Sequence, residues 1–302
     1  MDGILAVWKP AGWTSHDVVA KARRLLKMKR IGHAGTLDPM VTGVLPLCLG
    51  RSTRVVEYVQ ERPKAYEAVL KLGIATDTED MTGDVLAQEP VRRFTEQELE
   101  AVLGQFLGEI EQVPPMFSAV KVDGKRLYEL AREGKTVERK SRKVRIHEIR
   151  LLASELDMEH PEITFSAVCS KGTYIRTLCV DIGKALGVPA TMKSLTRTMS
   201  GGIQAEQCLT LEEIEQLQAA GELESRLISP EEAIDHIPKA VVTEEAAAKA
   251  LRGQKLSLRS ASIQEPWVHG TLFRVTDNRE SFIGIFECDM DIYGLRPVKV
   301  FS

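Results

Sequence analysis

The sequence predicts an α+β fold: a mixed, mainly antiparallel central sheet with flanking helices, followed by a small β-rich unit. Three observations predict it. Apolar residues alternate with period two in some stretches, such as 64–72, and recur at three and four residues in others, such as 14–27. The two kinds mix without the regular strand–helix–strand rhythm of a doubly wound sheet. After about residue 204 the chain changes to short acidic helices and then to short strands.

Residues 3–8 read as a short buried strand. Thr14 to Lys27 reads as a helix with Ser and Thr at its start; Val18, Val19, Ala22, Leu25 and Leu26 share one face, and the basic residues fall largely on the other. An apolar strand follows at 44–49, then a helix from Ser52 to Val59 and an alternating strand at 64–72. Thr95 and Glu98 have the spacing of a capping box and open a helix with Leu99, Val102, Leu103, Phe106 and Leu107 inward. Pro114-Pro115 stops anything helical. Residues 117–122 and 143–152 read as strands, joined by a short helix at Arg126–Arg132 and a polar, basic connector. A strand at 162–169 delivers Lys171-Gly172 to a turn, and Thr173 to Leu186 reads as a helix. Acidic helices follow at Leu211–Ala219 and Pro230–Ile234. Beyond Pro238 come a helix at Thr243–Leu251 and strands near 270–275, 282–288 and 296–301. The expected division is 1–235, with its acidic segment at about 205–235, and 236–302.

A chain of 302 residues can bury a sizeable core in two domains. Its apolar runs are too short to span a bilayer, and no secretory signal is visible, so a cytoplasmic location is expected. The five cysteines lie far apart with no CxxC pair, which speaks for a reducing compartment and against a structural zinc site. Net charge is −3, yet its distribution is uneven. Lys21, Arg23, Arg24, Lys27, Lys29 and Arg30 form one basic run, and residues 121–145 hold another. Acid gathers at 206–235. Basic flanks with an acidic far side can hold a phosphate backbone in one orientation, although either run alone also reads as a solvated helix face.

The stretch from Gly32 to Gly43, GHAGTLDPMVTG, is the most informative. One carboxylate, Asp38, sits between glycine-bearing turns, with His33 upstream and Pro39 restricting its backbone. The apolar run 44–49 follows at once, so the acid reads as held at the mouth of a buried strand. From spacing alone a tight turn, the commoner use of Asp beside Gly and Pro, is the plainer reading.

GHAGTLDPMVTGVLPLCLGRSTR resembles the catalytic-aspartate segment of pseudouridine synthases, specifically the bacterial tRNA pseudouridine-55 synthase (TruB) family. Further segments resemble that family in order: GILAVWKP at 3–10 with GWTS at 12–15, KAYEA at 64–68, GIATDTED at 73–80 with Thr82-Gly83, QVPPMFSAVK at 112–121, and SKGTYIRTL at 170–178. The likeness is strong to about residue 200 and weak beyond. It implies the pseudouridine synthase fold and a C-terminal PUA-like RNA-binding module. It also implies isomerisation of uridine to pseudouridine at position 55 in the tRNA T-loop.

That reaction breaks the bond between the ribose anomeric carbon and N1 of uracil, and rejoins the base through C5. It needs an ionised group near the anomeric carbon, a pocket that retains the base, and removal of one proton from C5. No metal, redox carrier or nucleotide is chemically required, so no cofactor is expected. Asp38 is the candidate carboxylate, forming a covalent ester or taking a proton from the neighbouring sugar carbon. By resemblance, Arg176 is its partner; a bidentate arginine would fix the carboxylate and favour its charge. Tyr66 is implied to stack on the uracil and to aid loss of the C5 proton; a core tyrosine is the plainer reading. Leu195 is implied on the pocket wall, Tyr174 near the arginine, and His33 holding the target base out of its loop, although a His beside Gly also reads as a turn residue. Lys9 matches a lysine of the N-terminal motif, for support or for phosphate contact. Lys121, Arg126, Arg139, Lys140, Arg142 and Lys143 are the expected RNA-phosphate contacts, on a basic segment able to close over the T-arm. A monomer with tRNA as partner, and no obligate protein partner or membrane, is expected.

Two other readings compete. A non-catalytic RNA-binding or tRNA-chaperone protein could use the same basic runs, but has no need of Asp38 with Arg176. A glycoside or nucleoside hydrolase needs two carboxylates; Asp77, Glu79 and Asp80 could supply the second, though they read as an acidic turn. No GxxxxGK[ST], HExxH or EF-hand loop occurs.

Overall fold

A computed structural model describes residues 1–122, 124–264 and 266–302. Among them, the main sheet is built from seven long strands: β1 (Gly3–Lys9), β2 (Thr42–Leu49), β3 (Lys64–Leu72), β4 (Gly108–Gln112), β5 (Arg142–Glu155), β6 (Glu162–Cys169) and β7 (Ala190–Ser200). Their spatial order is β1-β2-β7-β3-β6-β5-β4. Every neighbouring pair is antiparallel except β2 and β7, which run parallel through Thr42 opposite Thr196 and Gly43 opposite Arg197. This is the mixed, mainly antiparallel sheet expected.

The sheet is covered on both faces, which explains its continuous apolar runs. Leu5 and Val7 of β1 pack with Leu45, Leu47 and Leu49 of β2 against the Ser15–Leu26 helix and Ile214. Ile4 and Ala6 point the other way, into a cluster with Val44, Val55 and Val59. Farther along, Leu178, Cys179 and Ile182 of the Ile175–Leu186 helix cover Leu70, Leu72, Ile163 and Phe165. The first helix starts as its sequence suggested, with Thr14 and Asp17 closing a capping box.

A second sheet comes wholly from residues 239–300, in the order Leu256–Ser257, Gly294–Val300, Phe282–Asp289, Leu272–Asp277, Lys239–Val242, Ala261–Ile263. Ile285 and Phe301 from this unit enter the apolar cluster of Ile4, Val55 and Val59. Lys299–Glu57 at 2.9 Å edges the same contact. Among the described residues no helix is long and apolar enough to cross a membrane.

Several expectations need correction. β7, an interior strand between β2 and β3, was not anticipated, because bulges at Met192/Ser194 and Arg197/Met199 break the two-residue period twice in eleven residues. Residues 117–122 do not make a strand; only Lys121–Val122 pair, with Lys125–Arg126. Pro114-Pro115 and the fold-back onto Arg176 hold 117–119 in bends instead. The capping-box helix stops at Gly104, so Phe106 lies past its end and Leu107 is 57% exposed rather than inward. The helix expected at Ser52–Val59 is a 3₁₀ turn, Gly50–Val55, continued by an α-helix, Val56–Glu61. Pro230–Ile234 keeps only a 3₁₀ turn, Glu232–Ile234.

Candidate active site

A cavity of about 320 Å³ opens where the Asp38 turn faces β3, β7 and the start of the Ile175–Leu186 helix. Asp38, Tyr66, Tyr174, Arg176 and Leu195 all line it. Lys9 and His33 do not.

The turn is fixed from three sides. Lys9 is wholly buried, and its ammonium donates to the carbonyls of Pro10 at 2.8 Å, Trp13 at 2.6 Å and Pro39 at 2.9 Å. All three of its N–H groups are thereby used, which fits the supporting role and leaves none for a phosphate. Burial pushes Lys9 down to about 8, with Asp38 and Asp17 pulling it back up and Arg197 lowering it further. The Ser15 hydroxyl accepts from Leu37 N at 2.9 Å, and Gly12 N donates to Pro39 O at 2.9 Å. From β7, the Arg197 guanidinium donates to the carbonyls of Val44 at 2.8 Å, Gly35 at 3.1 Å and Thr36 at 3.4 Å. Gly43 is required here. Its φ is +113°, and a Cβ would stand 2.2 Å from the Arg197 carbonyl oxygen, so the close parallel crossing of β2 and β7 admits no side chain.

Arg176, 5% exposed, sits in the first turn of the Ile175–Leu186 helix. Its Nη2 lies 3.1 Å from Asp38 Oδ2 and donates to Phe117 O at 2.7 Å, while Nη1 donates to Thr78 O at 2.9 Å. The expected two-point clamp is therefore a one-point contact, because the rest of the fork is spent on two backbone carbonyls. The carboxylate of Asp38 stays 45% exposed, open to the cavity. The start of the helix is fixed by Gln112, whose side-chain amide accepts from Tyr174 N at 3.0 Å and donates to Tyr174 O at 3.2 Å.

Tyr66 on β3 and Leu195 on β7 form adjoining wall, with Leu195 paired to Ala68 across the two strands. Burial pushes the Tyr66 hydroxyl above the usual phenol range, opposed by the adjacent Arg197 guanidinium. His33 lies behind the turn. Its ring meets His16 edge-on at 5.4 Å, and burial, His16 and Arg197 lower its proton affinity. Its Nδ1 is buried without a partner among the described residues.

The acidic turn after β3 supplies no second carboxylate to the cavity. Asp80 accepts from the Thr78 and Thr82 hydroxyls, Asp77 from Asp84 N, and Glu79 from the Thr177 hydroxyl at 2.7 Å. None of the three lines the cavity.

The expected phosphate contacts differ in how free they are. Lys121, Lys140 and Arg142 are exposed and have no ion-pair partner among the described residues. Lys143 pairs with Glu109 at 2.8 Å, Arg139 donates to Pro114 O at 3.0 Å, and Arg126 lies against the Tyr128 ring.

The sequence reading missed Arg197, Lys64 and Gln112. Two signals were there to be used: an arginine two residues after the wall residue Leu195, and a lysine two residues before Tyr66 on the same strand and so on the same face.

Residues 23–175 match the family model described as the N-terminal domain of TruB family pseudouridylate synthase, and residues 176–235 match that of the tRNA pseudouridylate synthase B C-terminal domain. The chain is 47% identical over 304 residues to the tRNA pseudouridine synthase B of Geobacillus thermodenitrificans, with 100% of both chains covered. It is 48% identical over 282 residues to that of Geobacillus kaustophilus, covering 92% of this chain and 99% of the relative. Among solved structures it is similar to a chain of a Cbf5–Nop10–Gar1 complex, at 28% identity and a TM-score of 0.79, over 99% of this chain and 85% of that one. It is also similar to a chain of an H/ACA ribonucleoprotein bound to a substrate RNA containing 2′-deoxyuridine, at 25% identity and a TM-score of 0.77, with 99% and 85% covered.

Proposed function

The chain belongs to the TruB family of pseudouridine synthases, and from that premise we propose that Asp38 is the carboxylate with which it isomerises the uridine at position 55 in the T-loop of tRNA. The protein is a tRNA pseudouridine synthase, an isomerase that turns uridine into pseudouridine. The observation that supports Asp38 is its half-open carboxylate, 3.1 Å from a buried guanidinium at the edge of a cavity walled by Tyr66 and Leu195.

The chemistry follows from that placement. The target nucleotide leaves its stack, at a cost of a few kcal/mol, and its base enters the cavity against Tyr66 and Leu195. Asp38 then attacks the anomeric carbon, or takes the proton of the adjacent sugar carbon; either way the C1′–N1 bond breaks. The base turns within the cavity and bonds to C1′ through C5 as Asp38 is released or returns its proton to the sugar; C5 then loses its proton and N1 gains one. Arg176 holds Asp38 in line throughout. Tyr66, kept a neutral phenol by burial, suits stacking and hydrogen bonding better than service as a phenolate. The isomerisation is redox-neutral and needs no cofactor.

Tyr174 and His33 keep their roles behind and beside this centre, and the exposed cations Lys121, Lys140 and Arg142 grip tRNA phosphates, with Arg126, Arg139 and Lys143 contributing less. The 236–302 unit acts as a PUA-like RNA-binding module, and the enzyme works as a cytoplasmic monomer without an obligate protein partner. A pure RNA binder would have no use for the Asp38–Arg176 pair.

The test is to incubate an unmodified tRNA transcript with the protein and map pseudouridine. Modification at position 55, abolished by Asp38→Asn with tRNA binding retained, is expected. Unchanged turnover in Asp38→Asn would remove that carboxylate from the mechanism.

A further inference from the structure

Two buried cations line the cavity beside the Asp38–Arg176 pair: Lys64, 6% exposed, and Arg197, 1% exposed. Neither has an ion-pair partner among the described residues. Asp38 is the one carboxylate among the described lining residues, and its contact is with Arg176. Lys171, also in the lining, pairs outward with Glu61. The pocket therefore carries an excess of positive charge. Burying charges without partners is costly, so an uncompensated pair at a functional cavity marks a place where negative charge arrives.

The hydrogen bonds point the same way. Lys64 Nζ donates to the carbonyls of Gln60 and Arg62, which uses two of its three N–H groups. Arg197 is held rigidly by its three carbonyls and approaches Tyr66, which pairs directly with it across β3 and β7.

We propose that Lys64, backed by the fixed charge of Arg197, stabilises the negative charge that the uracil ring carries between its detachment from and its return to the ribose. This rests on the reading of Asp38 given above. When the C1′–N1 bond breaks, its electron pair leaves with the base. The anomeric carbon is satisfied by an Asp38 oxygen or by loss of the C2′ proton to Asp38. The base is then an anion, with its charge shared among N1, O2 and O4. Reattachment through C5 returns that electron pair to a bond with C1′ as the Asp38 oxygen leaves, or as Asp38 gives its proton back to C2′; C5 then loses its proton and N1 takes one up, so the product is a neutral isomer of the substrate. No proton need pass to Lys64: its ammonium acts as a preorganised donor to the charge as it develops. Burial holds Lys64 down to about 8, with Arg197 and Lys171 lowering it and Cys169 and Glu61 raising it.

The same cations would also suit a phosphate oxygen of the extruded nucleotide, and a leaving-group comparison separates the two sources. Single-turnover cleavage of the C1′–N1 bond is measured at saturating enzyme on tRNA transcripts carrying uridine or 5-fluorouridine at the target, the latter a more acidic and so better leaving base. Lys64→Met is expected to slow the uridine substrate by roughly 100-fold and the fluorinated one by much less, with Lys64→Arg restoring most of the rate. In the wild type kcat/KM falls as pH rises through about 8, where Lys64 loses its charge, and Lys64→Arg moves that limb upward. An equal loss on both substrates assigns Lys64 a merely structural role and overturns the proposal. So does a loss confined to tRNA affinity, which assigns it to a phosphate, and so does no loss at all. Asp38→Asn is run beside it: activity surviving there defeats the underlying reading, whereas activity lost there with equal losses in Lys64→Met defeats this inference alone.

Discussion

The Asp38 turn and the basic connector, described at 113–122 and 124–141, face each other across one cavity, yet they are held by opposite means. The turn is anchored from behind by three deeply buried side chains, Lys9, Ser15 and Arg197, each bonded to its backbone. The connector is held chiefly by exposed ion pairs, such as Lys135–Glu133 and Lys125–Glu133, by stacking of Arg126 and Arg132 on Tyr128, and by a small apolar foot at Leu127 and Leu130. Exposed pairs contribute little and weaken with salt, whereas buried charge-assisted hydrogen bonds impose one geometry. Chemistry at a single anomeric carbon demands the second kind. A grip on phosphates, which repeat along the backbone, works with the first.

Arg176 joins the two sides, touching Asp38 and the Phe117 carbonyl with the same nitrogen. Breaking that junction should have the largest effect. Arg176→Lys keeps a charge but loses the fork, so Thr78, Phe117 and Asp38 can no longer all be served. A fall in kcat of roughly 100-fold is expected, read under single-turnover conditions with KM for tRNA nearly unchanged. A change in KM alone would mean that Arg176 serves the connector rather than the carboxylate.

Next comes the anchoring itself. Arg197→Met removes the donor to three carbonyls inside the fold and should lower stability by on the order of 3 kcal/mol, measured as a shift in the urea midpoint with unchanged slope. A stability equal to wild type would show that water replaces the guanidinium without loss, and the turn would then be less tightly determined than its hydrogen bonds imply.

The smallest effects belong to the exposed cations of the connector and of the start of β5. Lys140→Gln should flatten the dependence of log affinity for tRNA on log salt by about one unit. Lys143→Gln should do less, because Lys143 is already paired with Glu109, and that pair holds its proton affinity up. Equal slopes for the two variants would show that RNA displaces Glu109 at no cost, and the distinction between free and paired cations would fall.

Much of this was legible in the sequence. Helix starts at Thr14 and Thr95 follow from a local reciprocal hydrogen bond, and β3 and β6 follow from clean alternation or a bounded apolar run. The segment around Asp38 stood out because glycine and proline restrict the backbone wherever they occur. β7 was not legible, because bulges erase its periodicity. With it went Arg197, whose significance depends on which loop lies across the strand. The role of Lys9 stayed open for the same reason: the sequence shows a lysine before a proline, and only the packed fold shows three carbonyls converging on it.

By itself, the sequence determined which residue types could do the chemistry and where the backbone must turn, since both depend on near neighbours along the chain. Family resemblance named Arg176 as the partner of Asp38, 138 residues away; the tertiary structure decided that they meet at one point, 3.1 Å apart, that two further cations share the cavity without counter-ions among the described residues, and that Glu79 does not line it. Those outcomes are set by long-range strand pairing and by which charges burial leaves uncompensated, and neither quantity is written in any local pattern.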